Sequence, residues 1–251
     1  MREYINPADK LLLAENSLDS FEALWELQLE SVDEPNNERG GWSSVSYLTL
    51  GDKGYFLKRQ SNHLTRSLMS PLGEPTFARE FRNIQYYQTL GIPAVTAAYF
   101  ATRKFMGEKQ AILITHALDG WRDLESYLHE WDSLPPNEQQ ELISSCAKLL
   151  RKLHDKKVLH GCFYPKHIFL KQMEATFESC LIDLEKTRKL HSKRDCLKDI
   201  DTLMRRTKKQ WAEAECRLFL SVYLGAPESS PMVAEWFVRI VKRNKLKEQR
   251  A

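Results

Sequence analysis

The stretch Val158-Leu159-His160-Gly161-Cys162-Phe163-Tyr164-Pro165-Lys166-His167-Ile168-Phe169-Leu170 constrains this chain more than any other. Its apolar ends read as strand, and its middle gathers Gly, Pro, Cys and two His. A polar turn leads from Ile168-Phe169-Leu170 to a second apolar run, Cys180-Leu181-Ile182, and Asp183 follows at once. A carboxylate directly after an apolar strand is costly unless it meets water, a cation or Mg²⁺. The expectation is a β-hairpin that carries chemistry at its base.

Before this stretch the chain reads as sheet with one helix. Ser17 to Glu30 has Leu18, Phe21, Leu24, Trp25 and Leu29 near one helical face, with Ser17 as the cap. Asp33 to Gly41 is a polar loop. Val45 to Leu50 and Tyr55 to Gln60 are strand-like and joined by Gly51-Asp52-Lys53-Gly54, residues suited to a hairpin turn. Ser61 to Pro75 reads as an irregular insert. Thr76 to Leu90 reads as a helix that Gly91-Ile92-Pro93 stops. Ala94 to Thr102 and Gln110 to His116 complete an antiparallel sheet, and Ala117 to Gly120 is the expected hinge. Helices follow at Leu124 to Trp131, Asn137 to Lys156, Cys196 to Lys208, Gln210 to Leu224 and Met232 to Lys245. Sheet first and helices later predicts an α+β fold in two lobes. The expected boundaries are an extension over 1–37, a first lobe over 38–117 and a second over 118–251.

Composition narrows the class. With 251 residues and a formal net charge of +3, the chain has no charge excess that would argue for nucleic acid. Lys and Arg do cluster at Lys186 to Arg194, Arg205 to Lys209 and Arg239 to Arg250, a solvated face or a surface for anionic lipid or phosphate. The five cysteines form no C-x-x-C pair, which predicts a reducing cytoplasm and neither a disulfide framework nor a zinc site. No run of about 18 apolar residues predicts a membrane span.

Several residues invite a functional reading. Arg39-Gly40-Gly41-Trp42-Ser43-Ser44 places small residues at a strand turn, where backbone N–H groups can approach a phosphate; a plain loop reads as well. Lys58, between apolar strand residues, should turn into a cleft, or else lie at a sheet edge beside Arg59. Glu80 is its candidate partner or a helix-surface carboxylate. Glu185 either faces the cleft with Asp183 or pairs with Lys186 or Arg188. His167 would bind metal through nitrogen, unusual for Mg²⁺, or hydrogen-bond a phosphate. Cys162 is a poor base unless neighbouring His and Lys lower its pKa, and otherwise is a small buried residue. A Cys-His-Asp nucleophilic site drawn from Cys162, His160 or His167, and Asp183 is formally possible.

Taken together, His160 to Ile168, Leu181 to Lys186, Gly41 through Phe56-Leu57-Lys58-Arg59, and Arg79-Glu80 resemble the lipopolysaccharide kinase family, in particular its InaA-type branch. The resemblance covers roughly residues 38–205. It implies a protein-kinase-like fold and ATP- and Mg²⁺-dependent phosphorylation of a sugar hydroxyl in lipopolysaccharide core, at the cytoplasmic face of the inner membrane. It implies that Lys58 and Glu80 clamp nucleotide phosphates, that Gly40, Gly41, Ser43, Ser44 and Thr115 contact the nucleotide, and that Asp183 and His167 face the metal. It also implies that Asp199 steadies the catalytic loop from a helix and that His160 is structural. One position departs from the family: Cys162 stands where its sugar kinases have the base Asp. The alternatives are therefore an impaired, nucleotide-binding pseudokinase with a regulatory or stress-response role, or a kinase for a protein or small molecule.

Overall fold

The computed structural model describes residues 2–32, 34–37, 40–67 and 70–249. The chain divides into two compact units, residues 1–87 with 95–119, and residues 88–94 with 120–251.

The first unit is built from β1 (Arg2–Ile5), α1 (Lys10–Glu15), α2 (Phe21–Glu26), β2 (Trp42–Leu50), β3 (Lys53–Ser61), β4 (Leu64–Ser67), β5 (Ser70–Pro75), α3 (Thr76–Thr89), β6 (Ala97–Phe105) and β7 (Glu108–His116). Five strands form an antiparallel sheet in the order β1-β6-β7-β3-β2. β7 lies at its centre, and its run Ala111-Ile112-Leu113-Ile114 is wholly buried. Alternate residues of a strand face opposite ways, so such a run needs cover on both faces. On one face Leu57, Tyr99, Ile112 and Ile114 pack with Leu13, Phe21 and Leu24 of α1 and α2. Each of these large side chains contributes roughly 2 kcal/mol by leaving water. On the other face α3 covers the sheet, with Phe81 stacked on Phe100 at 4.2 Å between ring centroids.

Residues 2–37 therefore carry an edge strand and two helices of this unit. Asp9 ties them in. Its buried carboxylate accepts from the Tyr55 hydroxyl at 2.8 Å and contacts His116 Nε2 at 2.8 Å. Burial, reinforced by Asp9, raises the Tyr55 pKa and keeps that hydroxyl a donor. The helix expected from Ser17 to Glu30 is shorter: it spans Phe21–Glu26, and Ser20 caps it by accepting from Ala23 N–H. Ser17 instead takes a positive φ of 58°. The Arg59 guanidinium ends α2 by donating to the Trp25 and Leu27 carbonyls. The insert expected to be irregular between Ser61 and Pro75 holds the antiparallel pair β4–β5.

The second unit contains β8 (Arg122–Asp123), α4 (Leu124–His129), α5 (Pro136–Asp155), β9 (Val158–Leu159), β10 (Ile168–Gln172), β11 (Phe177–Leu181), β12 (Arg188–Lys189), α6 (Lys193–Thr207), α7 (Glu213–Leu224) and α8 (Pro231–Glu248). α5 buries Leu142, Cys146, Leu149, Leu150 and Leu153 along one face, as their spacing predicts. The β10–β11 hairpin forms with Ile168 opposite Leu181, and β9 pairs with β12. α8 is fastened to α6 by charge. The buried carboxylate of Asp201 meets Arg243 Nε at 3.3 Å, Arg205 Nε at 3.5 Å and Lys247 Nζ.

Replacing Asp201 by Ala leaves Arg205, Arg243 and Lys247 without their shared carboxylate. The expected loss is about 3 kcal/mol of unfolding free energy, read from the midpoint of urea denaturation.

Candidate active site

The first unit contributes a buried ion pair. Lys58 Nζ lies 2.6 Å from Glu80 Oε1, with side-chain exposures of 17% and 4%. Strand alternation produces it. Lys58 and Arg59 are neighbours on β3, so one turns toward α3 and the other toward α2. Glu80 is on the inward face of α3, one helical turn on from Phe77 and one before Ile84, both buried.

The phosphate-loop candidates fall around this pair unevenly. Backbone hydrogen bonds between Asn36 and Ser43, both 2.9 Å, close a loop that contains Gly40 and Gly41. Gly41 has no room for a side chain, because a Cβ there would stand 2.2 Å from the Ser61 carbonyl oxygen. Arg39 lies outside the described residues. Ser43 and Ser44 sit in β2 beyond the loop, opposite Gln60 and Arg59. Ser44 borders a 460 Å³ cavity with Arg59, Trp25 and Trp42, on the face away from Lys58. Thr115 is buried opposite Phe56, on the face that carries Lys58.

The second unit holds the loop that the sequence singles out. Asp199, on α6 and 1% exposed, accepts two successive backbone amides: His160 N at 2.8 Å and Gly161 N at 2.9 Å. Its Oδ2 also meets His154 Nε2 at 3.3 Å, while His154 Nδ1 meets the Tyr223 hydroxyl at 2.8 Å. Burial alone would lower the His154 pKa, but Asp199 and Cys196 together outweigh it and the net direction is up. Gly161 is obligatory. Its φ is +85°, and a Cβ would lie 2.7 Å from the Lys186 carbonyl oxygen.

His160 is fully buried, and burial lowers its pKa. Its Nε2 lies 3.2 Å from the Ile182 carbonyl, which links the loop to the residue before Asp183. His167 Nδ1 lies 2.9 Å from the Cys162 carbonyl, and its Nε2 lies 3.2 Å from Asp183 Oδ2. Burial lowers the His167 pKa, against the opposing pull of the Asp183 carboxylate and the Cys162 carbonyl. Asp183 holds φ +56°, a left-handed conformation that Asp adopts more readily than most residues.

Cys162 has no exposed surface. Its Sγ lies 3.4 Å from the Asp183 carbonyl, 3.6 Å from Asp183 Oδ2 and 3.4 Å from His160 Nδ1. Burial first, then the Asp183 charge, push the thiol pKa far up, and Lys186 only partly offsets them. The neighbours thus act against the lowering that a thiolate base needs. Glu185 lies 3.8 Å from Lys186 Nζ. The candidates Lys58, Glu80 and Thr115 are gathered in one unit, and Cys162, His167 and Asp183 in the other. His154 and Tyr223 support the loop without any local signal: His154 of α5 meets Asp199, and Tyr223 of α7 meets His154 in turn.

An antiparallel sheet with a lysine–glutamate pair to its helix, together with a helical unit carrying this loop and hairpin, defines a protein-kinase-like fold. A solved structure of WaaP in complex with acyl carrier protein shares it, with a TM-score of 0.70 over 97% of this chain and 99% of that one, at 22% identity. The sequence model of the Lipopolysaccharide kinase (Kdo/WaaP) family matches residues 22–223, and the chain belongs to that family. Protein InaA of Escherichia coli (strain K12) is 30% identical over 173 residues, 68% of this chain and 80% of that protein.

Gly161→Ala forces a side chain against the Lys186 carbonyl, and Asp199→Asn sets an amide N–H₂ against a backbone N–H. Each is expected to cost about 2 kcal/mol or more, measured by chemical denaturation.

Proposed function

We propose that this chain is an ATP-dependent phosphotransferase that acts on a sugar hydroxyl of a lipopolysaccharide-type acceptor. Membership of a lipopolysaccharide kinase family supports the reaction class. The observation that carries the reading is the Lys58–Glu80 pair. A lysine held this way is fixed in direction by the carboxylate, which suits it to nucleotide phosphates. Gly41 offers backbone close to the end of the same strand, at Ser61, with Gly40 beside it in sequence, and Thr115 lines the Lys58 face of the sheet.

Mg²⁺ fits part of the second unit's donor set. It takes oxygen ligands, commonly one or two carboxylates completed by substrate phosphates and water, and Asp183 supplies such a carboxylate. Bound there, it would neutralise charge on the phosphates. Cys162 sulfur and His167 nitrogen are not magnesium donors. Asp199 and Gly161 keep the loop in place, and His160 joins it to the backbone before Asp183. Phosphoryl transfer depends mainly on positioning and electrostatics, so turnover without a strong base at position 162 is slow and not abolished.

One observation favours a second reading, a nucleotide-binding pseudokinase. Cys162 is buried, and its thiol stays protonated. Contact with an anionic membrane surface is a further part of the proposal. Among the described residues no helix is long and apolar enough to cross a membrane. α8 does expose Val238 and Leu246, and Phe237, Val238, Lys242, Lys245 and Leu246 line one groove along it. Apolar and basic residues side by side suit a helix lying on such a surface.

Phosphate transfer from ATP to purified core oligosaccharide tests the function. Lys58→Ala is expected to lower transfer at least about 100-fold and to remove the nucleotide-dependent rise in melting temperature. No transfer above that variant overturns the enzyme reading and leaves the pseudokinase. Cys162→Asp is expected to raise the single-turnover rate about tenfold or more, as a general base does.

A further inference from the structure

Sulfur and nitrogen beside Asp183 are the wrong donors for magnesium, yet their placement is orderly. Cys162 Sγ, His167 Nε2 and an Asp183 carboxylate oxygen all lie within 4.8 Å of one another. We propose that these three atoms form a binding site for a soft divalent transition-metal ion of the Zn²⁺ type, with one coordination position open. The proposal rests on the kinase-like reading only in taking Asp183 as a metal-facing carboxylate.

Spacing is the first ground. His167 Nε2 and Asp183 Oδ2 are 3.2 Å apart, and Cys162 Sγ and Asp183 Oδ2 are 3.6 Å apart. Tetrahedral zinc, with bonds of about 2.0–2.3 Å, sets nitrogen and oxygen ligands roughly 3.3 Å apart and sulfur and oxygen ligands roughly 3.5 Å apart. Orientation is the second. The Nδ1 nitrogen of His167 lies against the Cys162 carbonyl, which aims Nε2 at the Asp183 carboxylate oxygen, as the partner of one ring nitrogen orients a metal-binding imidazole. The backbone carbonyl that orients the imidazole belongs to Cys162, whose side chain supplies the sulfur, so one residue sets two of the three donors.

Donor chemistry is the third ground. Thiolate, imidazole and carboxylate suit zinc and its neighbours, and a coordinated thiol gives up its proton to the ion's charge. A thiolate and a carboxylate together balance a 2+ ion. Three protein ligands with a fourth position free is the pattern of zinc sites that keep an exchangeable ligand. Cys162 and His167 are buried, whereas the Asp183 side chain is 33% exposed, so ion and fourth ligand enter from the carboxylate side. An ion held here takes Asp183 from magnesium, so the metal bound decides whether that carboxylate is free for a nucleotide complex.

Titration of metal-free, full-length protein with Co²⁺ under reducing, oxygen-free conditions tests the site. The expected result is one equivalent bound, with thiolate-to-cobalt charge transfer in the near ultraviolet and tetrahedral d–d bands in the visible. One equivalent of Zn²⁺ then abolishes both signals, and excess Mg²⁺ does not. Cys162→Ser should lose the charge-transfer band, while Cys196→Ser and Cys216→Ser, at the two half-buried cysteines, should keep it. Asp183→Asn, at a partly exposed position, should fold and bind Co²⁺ at least about tenfold more weakly. Absence of the band in the unaltered protein overturns the proposal, and so does its persistence in Cys162→Ser. If Cys162→Ser does not fold, undiminished binding by Asp183→Asn overturns it equally. A Mg²⁺–ATP melting shift on the metal-free protein reports the proposed function separately. That shift without the cobalt signal removes the site and leaves the function; the cobalt signal without that shift upholds the site and removes the function.

Discussion

The carboxylate of Asp199 is the interaction on which the loop of the second unit depends. Two successive amides, His160 and Gly161, point to its two oxygens from a stretch too short and too twisted to satisfy them by regular pairing. Buried amides without partners cost about 1–3 kcal/mol each, and hydrogen bonds to a charged acceptor are the stronger kind. His154 and Tyr223 extend the network into α5 and α7. The loop's shape is thereby set by three helices. The orientation of His160 toward Ile182, and of the backbone at Cys162 and Asp183, follows from that hold.

Buried carboxylates do similar work elsewhere. Asp9 binds the N-terminal segment to β3 and β7 through Tyr55 and His116. Asp201 binds α8 to α6 through Arg243 and Lys247, with Arg205 of α6 beside it. Glu80 holds Lys58. In each case at least one partner comes from another element, so the charge is fully compensated only when the tertiary structure is complete. Removing one member is therefore costly, although the intact pair adds little net stability by itself.

Much of the site was legible in sequence because its residues sit in strongly patterned surroundings. Lys58 stood between apolar strand residues, Glu80 on an amphipathic helix, and Asp183 after an apolar run. Each is a charge that local pattern marks as out of place. Gly161 was visible as a residue type, but the reason for it, the Lys186 carbonyl 2.7 Å from a would-be Cβ, was not. Ser44 looked equivalent to Ser43, yet strand alternation turns it toward Arg59 and away from the Lys58 face. The edge strand Arg2–Ile5 was missed because four residues carry too little pattern, and its pairing with β6 supplies what the sequence lacks.

The sequence by itself determined the order of sheet and helices, the family to which the chain belongs, and a cysteine at position 162, where the resemblance implies an aspartate. These follow from local apolar periodicity and from short motifs, which need no knowledge of distant neighbours. Only the tertiary structure decided what that cysteine is. Burial and the facing Asp183 charge push its thiol pKa up, against the lowering that a thiolate base needs. The folded hairpin brings its sulfur, the His167 nitrogen and the Asp183 oxygen within 4.8 Å. The physical reason is that a side chain's charge state and ligand geometry depend on solvent exclusion and on groups that lie far away along the chain.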